Sequence, residues 1–136
     1  MSSDITTVLS KNNLRVTKAR LMVFRTLQHT DRPLSHAEVA QSTPEVDRVS
    51  VYRVIEIFIK IGIVTSVAYG WKQRYELAAP FRPHHHHFVC TRCHNVTEIQ
   101  SNKLEKIIHL LADAQGFKAT GHTFEITGIC QHCQTA

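Results

Sequence analysis

The sequence predicts an α+β chain in two parts, an N-terminal winged helix-turn-helix domain and a C-terminal α/β domain fastened by structural zinc. Three observations predict it. Helical apolar periodicity runs through residues 18–61 and then gives way to two β-rich segments around Tyr69-Gly70-Trp71. Two Cys-x-x-Cys pairs, Cys90/Cys93 and Cys130/Cys133, lie in the last part of the chain. Four consecutive histidines, His84 to His87, lead into the first of these pairs. The expected divisions are 1–79, a hinge and metal-ligand strand over 80–87, and 88–136.

Asp4 to Ser10 is expected as a short first helix, broken by Asn12-Asn13. Thr17 caps a helix from about Lys18 to Leu27, with Leu21, Val23, Phe24 and Leu27 on its buried side. Asp31-Arg32-Pro33 is a turn. Ser35 and Glu38 have capping-box spacing, so a short helix follows over about 36–42 and stops before Pro44. Asp47 caps the next helix, about 48–61, which ends at Gly62. Its buried stripe is Val51, Val54, Ile55, Phe58 and Ile61, and its other side presents Arg48, Tyr52, Arg53 and Glu56, with Ser50 near the first turn. In a helix-turn-helix the N-terminal end of the second helix enters the major groove of DNA. The competing reading is that Tyr52 and Arg53 only cover a helical core.

Ile63 to Ala68 and Lys72 to Leu77 read as a hairpin, which after a helix-turn-helix is a wing. Lys72 and Arg74 share one face of its second strand and are placed to meet phosphates. Pro80-Phe81-Arg82-Pro83 is a connector. Beyond it come an extended His84–Val89, a metal-binding turn at Cys90–Asn95, a returning strand at Val96–Ile99 and an amphipathic helix over about 102–115. That helix has Leu104, Ile107, Ile108 and Leu111 on one stripe, and Phe117 to Ile129 then holds one or two strands.

Charge divides along the same boundary. Residues 1–83 carry 12 Lys and Arg against 7 Asp and Glu, a surplus of 5, whereas residues 84–136 carry 4 of each. A basic first part suits a polyanion such as double-stranded DNA. The chain has no apolar run near a membrane span and no charged-then-apolar leader, so a cytoplasmic protein without membrane contact is expected.

A two-residue gap lets both sulfurs of one turn reach one ion at about 2.3 Å, so the cysteines are read as a four-thiolate zinc site rather than a redox pair. The histidines divide by strand parity, with His85 and His87 on one face and His84 and His86 on the other. Two ion sites can therefore share the strand, with Glu76 and Glu98 as candidate oxygen ligands. Such a mixed sphere suits Fe(II), Mn(II), Zn(II) or Co(II). Glu105 has a plainer role open to it, because Asn102 and Glu105 share capping-box spacing. His122 is a candidate ligand or a partner for Glu105, and His94, His109 and His132 are expected at the surface. A β-α-β unit this small needs zinc, a partner copy or both, and a homodimer would present two recognition helices to a two-fold operator.

In this order and spacing, the pieces resemble the ferric uptake regulator family of metal-sensing bacterial repressors over about residues 8–133. The resemblance is carried by Leu14-Arg15-Val16-Thr17-Lys18-Ala19-Arg20, Val51-Tyr52-Arg53-Val54, Arg74-Tyr75-Glu76-Leu77 and the histidine run with its Cys-x-x-Cys. It continues in Gly116-Phe117-x-x-Thr120-Gly121-His122 and Gly128-Ile129-Cys130-x-x-Cys133. It implies a winged-helix domain joined to a dimerisation domain, with the metal-loaded dimer binding an AT-rich palindrome and blocking transcription of metal-homeostasis genes. Arg15 would reach the minor groove, with Lys18 and Arg20 beside it, and Tyr52 and Arg53 would contact bases and backbone. Cys90, Cys93, Cys130 and Cys133 would hold structural Zn2+. Glu76, His85, His87 and Glu98 match an interdomain sensory site, and His84, His86 and Glu105 match a further site.

Three departures stand out. Pro33 occupies the place of a family histidine of the sensory site, for which His36 or His29 would have to substitute. Ile129 stands where many relatives carry a histidine of the further site, which His122 would have to complete. Two additional residues separate Glu76 from the histidine run. The chain lacks the additional cysteine of zinc sensors, and it has glutamates where peroxide sensors tend to have aspartates. Fe2+ is therefore the favoured regulatory ion, with Zn2+ and Mn2+ as alternatives. A metal-dependent hydrolase is the remote rival, but the HExxH pattern is missing and the chain is read as not an enzyme.

Overall fold

The computed structural model describes residues 4–69 and 72–135, which divide into a unit up to Pro83 and a second unit from His84. The first unit is formed by α1 (Ile5–Lys11), α2 (Lys18–Gln28), α3 (His36–Gln41), α4 (Arg48–Lys60), β1 (Val64–Tyr69) and β2 (Lys72–Leu77). Each helix starts where a short polar side chain can accept an orphan amide. Asp4, Thr17, Ser35 and Asp47 accept from Thr6, Arg20, Glu38 and Ser50, and the box at Ser35/Glu38 closes in both directions. Gly62, at φ +82°, turns the chain out of α4.

β1 and β2 form an antiparallel pair running from Val64 opposite Leu77 to Tyr69 opposite Lys72. The turn expected at Gly70 and Trp71 lies outside the described residues. Leu34 adds a bridge to Tyr75, its N–H donating to the Tyr75 carbonyl at 3.0 Å and its carbonyl accepting from the Tyr75 N–H at 2.7 Å, which ties the entry of α3 to the hairpin. The expected helical stripes form the core. Val23, Phe24 and Leu27 of α2, Val39 of α3 and Val51, Val54, Ile55 and Phe58 of α4 are buried with Ile63, Val64, Tyr75 and Leu77. Helices packed in this order, followed by a hairpin, make a winged helix-turn-helix.

The second unit comprises β3 (His86–Cys90), β4 (Val96–Ile99), α5 (Asn102–Ala114), β5 (Glu125–Gly128) and α6 (Gln131–Thr135). Its sheet has the order β4-β3-β5, with β4 antiparallel to β3 and β5 parallel to it. The segment Phe117–Ile129 therefore supplies a single strand. The last helix was not expected, because a five-residue turn around Cys133 is too short to show periodicity.

One expectation for α5 is corrected. Ser101, one residue before the expected cap, accepts from the Leu104 amide, which frees Glu105 from capping. The apolar stripe is left open in this chain, since Leu104 and Ile108 are only partly covered and Ile107 and Leu111 are 53% and 64% exposed. Among the described residues, the buried apolar ones of this unit are Val89, Cys90 and Cys133, beside the buried His86 and His87.

Candidate metal centres and nucleic-acid face

The end of β3 and the turn after it bring the first two cysteines together. Cys90 N–H donates to the Asn95 carbonyl at 2.9 Å, His94 N–H donates to the Cys90 carbonyl at 3.0 Å, and His94 itself takes φ +62°. The other two come from the β5–α6 junction, which Thr91 N–H fastens by donating to the Gly128 carbonyl at 2.8 Å and Arg92 by donating to the Cys133 carbonyl at 3.2 Å. All four cysteines are free thiols, their sulfurs lie within 4.8 Å of one another, and Cys93 Sγ stands 3.7 Å from Cys130 Sγ. Bonds of about 2.3 Å in a tetrahedron give sulfur–sulfur edges of about 3.8 Å, so the spacing fits zinc and not a disulfide.

The Cys130 and Cys93 amides aim at Cys90 Sγ from 3.4 and 3.5 Å and hold that thiol down at about 5, so it is a thiolate at neutral pH. Cys133 is pushed up to about 12 by the neighbouring Cys130 sulfur and by burial. Four thiolates this close need a cation.

The histidine run places its side chains alternately, as parity requires. On one side, His86 Nε2 lies 2.7 Å from Glu105 Oε1, His84 Nε2 lies 3.3 Å from the same oxygen, and His122 Nε2 lies 2.9 Å from Glu105 Oε2. His84 and His122 approach to 3.1 Å through their Nε2 atoms. Three imidazoles and one carboxylate thus point lone-pair atoms into one space, all within 4.8 Å. Bonds of about 2.0–2.2 Å to a divalent ion give ligand–ligand edges of about 3.0–3.5 Å, and these four groups, with pairs at 2.7–3.3 Å, would have to spread only slightly to hold one without Ile129. Donation from His86 holds the Glu105 carboxyl below its usual range against the opposing effect of burial, and the charges of His122 and His84 add to this.

On the other side, His85 Nε2 stands 3.1 Å from His87 Nε2 and 3.5 Å from Glu98 Oε1, because β4 sets Glu98 opposite His87. These donors also fit a divalent ion, with further ligands needed to complete its sphere. The expected Glu76 belongs to the first unit, where the hairpin carries its carboxylate into a buried position with Arg82 Nη1 3.5 Å from Oε2.

His36 sits elsewhere in that unit. Its ring packs against Tyr52 and Tyr75 with centroids 4.8 and 4.5 Å away, and its Nε2 is 3.5 Å from Glu56. His29 caps the end of α2, its Nδ1 2.8 Å from the Arg25 carbonyl, and Pro33 is buried.

The expected nucleic-acid residues fall into two groups. Arg15, Lys18, Arg48, Arg53 and Lys72 are exposed. The others are half-buried. Arg20 donates to the Arg15 carbonyl at 2.6 Å, and Ser50 gives its hydroxyl to Asp47 at 2.6 Å. Tyr52 is half-buried against the core and His36. Arg74 turns inward to pair with Glu38, so it does not share an open face with Lys72. Arg82 and Arg92 stood outside the sequence reading because nothing local distinguishes them from solvated arginines.

Comparison with known proteins agrees with this architecture. The model of the family described as the ferric uptake regulator family matches residues 11–127. The ferric uptake regulation protein of Campylobacter jejuni is 32% identical over 133 residues, covering 93% of this chain and 83% of that protein. The crystal structure of the Vibrio cholerae ferric uptake regulator superposes with a TM-score of 0.77 at 26% identity, over 93% of this chain and all of the other. A zinc uptake regulator complexed with zinc and DNA superposes with a TM-score of 0.63 at 28% identity, over 95% and 89%.

Proposed function

Since the chain belongs to the ferric uptake regulator family, we propose that it is a metal-responsive transcriptional repressor acting as a homodimer on double-stranded operator DNA. The family consists of transcriptional regulators rather than enzymes, and among the described residues no helix is long and apolar enough to cross a membrane. The cytoplasm is the compartment this reading requires.

One observation carries the proposal. The run His84–His87 delivers its histidines alternately to two ligand groups and continues as β3 into a third, the cysteine cluster. A fold that needed only one structural ion would have no use for this. The cysteine cluster is assigned to structural Zn2+. His85, His87 and Glu98, with Glu76 from the DNA-binding unit, are assigned to the regulatory ion, and His84, His86, Glu105 and His122 to an additional ion. Fe2+ is the favoured regulatory ion, because the oxygen ligands are glutamates and every cysteine belongs to the zinc cluster; Zn2+ and Mn2+ are the alternatives.

Glu76 of the first unit and His85, His87 and Glu98 of the second would together hold the divalent ion, which would supply a tie between the units. The chain's own residues do the rest. β3 and β4 hold His87 and Glu98 in register, with His85 directly ahead of β3, while the hairpin carries Glu76. Tying these together narrows the angles available to the two recognition helices of a dimer, and a coupling of about 1–3 kcal/mol is enough for a switch. Arg48 and Arg53 at the start of α4, with Tyr52, Arg15, Lys18 and Lys72, are assigned to DNA. Arg20 and Ser50 are assigned to the same face and act through the positions they hold, whereas Arg74, turned to Glu38, is withdrawn from it. The exposed stripe of α5 and the adjoining Phe117 are assigned to the second copy.

The assignment is tested by replacing His87 with Ala and measuring operator binding with and without Fe(II). The variant should keep its structural zinc and its weak metal-free DNA binding but lose the metal response. An unchanged response would remove His87 from the regulatory site.

A further inference from the structure

Arg82 is unused in the reading above, yet it is held as firmly as a core residue. The amides of Phe81 and Arg82 both donate to the Ala78 carbonyl, at 3.0 and 3.2 Å. The Phe81 ring meets Phe24 edge-on with centroids 4.9 Å apart. From this base the guanidinium reaches inward, where its Nη2 donates to the Thr30 carbonyl at 2.7 Å and its Nη1 lies 3.5 Å from Glu76 Oε2. The Arg82 and Glu76 side chains are 17% and 4% exposed, so solvent screens the pair poorly.

We propose that Arg82 is an internal counter-cation that competes with the regulatory divalent ion for Glu76 and so sets the metal concentration at which repression begins. This rests on the assignment of Glu76 as a ligand. A buried carboxylate is costly unless a positive group stands beside it, and Arg82 stands beside Glu76. When a divalent ion occupies Glu76, the guanidinium either stays and repels it or swings away and gives up the Thr30 hydrogen bond. Both outcomes weaken metal binding. An arginine cannot relieve the conflict by losing its proton, so the competition persists at every physiological pH. The anchors at Phe81 and Thr30 keep the cation close, which distinguishes this arrangement from a solvated arginine on a loose connector.

The alternative is that Arg82 only positions Glu76, in which case its removal should weaken metal binding. Mn(II) affinity of the zinc-replete full chain, measured by competition with a fluorescent chelator, separates the two. Arg82→Met is expected to tighten Mn(II) binding by about tenfold, the scale of one poorly screened like charge removed. It is also expected to lower the metal-free melting temperature and enlarge the upward shift that Mn(II) produces. Arg82→Lys keeps a positive charge on a different stem, should stay close to wild type in Mn(II) affinity, and replaces the Met variant if that fails to fold. In that event a Lys variant binding Mn(II) more weakly than wild type overturns the proposal, and one binding as tightly or more tightly supports a point-charge competitor. Glu76→Gln is titrated alongside. If it binds Mn(II) like wild type, Glu76 is not a ligand and the underlying assignment fails. If it binds more weakly while Arg82→Met is no tighter than wild type, the assignment stands and the competitor role of Arg82 is wrong.

Discussion

The two units reach stability by opposite routes. The first closes a core in which Leu9, Leu27, Ile55 and Phe58 are essentially inaccessible to water. The second leaves Leu110, Leu111 and Phe117 at 67%, 64% and 71% exposure and concentrates its buried contacts around cysteines and histidines. A unit of about 50 residues cannot remove enough apolar surface from water to offset its chain entropy. On the proposed reading, metal ligation and a second copy take over that task in this unit, whereas the first unit closes its core with its own side chains.

The sharpest way to break this contrast is to remove a structural ligand. Cys133→Ser should abolish zinc retention and eliminate the second unit's thermal transition and the dimer, while the helical signal of the first unit persists. Zinc analysis, sedimentation and circular dichroism read the three consequences, and a dimer that survives without zinc would show that the sheet and α5 suffice.

The converse change is Phe58→Ala, which empties the centre of the first core. A loss of about 3–5 kcal/mol is expected for a buried aromatic, enough to unfold the DNA-binding unit while the cysteine cluster keeps its zinc. Denaturant titration followed at both units checks it.

A smaller effect concerns Glu38, which closes the α3 capping box and pairs with Arg32 and Arg74. Burial pushes its carboxyl up, but Arg32, Ser35 and the charge of Arg74 outweigh burial and hold it below the ordinary value of 4.5. Its contribution is therefore fully present above that ordinary value and is lost as pH falls through the lower value of the folded state. Glu38→Gln should lower the first unit's stability by about 0.5–1 kcal/mol at neutral pH, and the difference from wild type should vanish in acid. Melting curves from pH 7 to pH 3 would show this; a constant difference would mean that the ion pairs contribute nothing.

What the sequence made legible was local. Capping residues, the apolar stripes of α2 and α4 and the alternation of the histidines each follow from a spacing of a few residues, and the structure contains them. Residues whose roles depend on distant neighbours were harder to read. Arg74 was expected on an open wing face but finds Glu38, 36 positions away in the chain. Glu105 matched a capping box with Asn102, but Ser101 caps the helix instead and three histidines from two other segments surround the carboxylate. The stripe of α5 was legible as apolar, but periodicity does not say whether the same chain or another copy covers it. His36 had the chemistry of a ligand, and no local pattern could show that two tyrosines and Glu56 enclose it.

The most direct test of a repressor in which a metal-built unit governs a self-sufficient DNA-binding unit is operator affinity of the zinc-replete dimer. It is measured by fluorescence anisotropy under anaerobic conditions with and without Fe(II). Binding should tighten by about tenfold or more on adding Fe(II), in line with a coupling of about 1–3 kcal/mol. Equal affinity with and without Fe(II), and likewise with Mn(II) and Zn(II), would contradict the account.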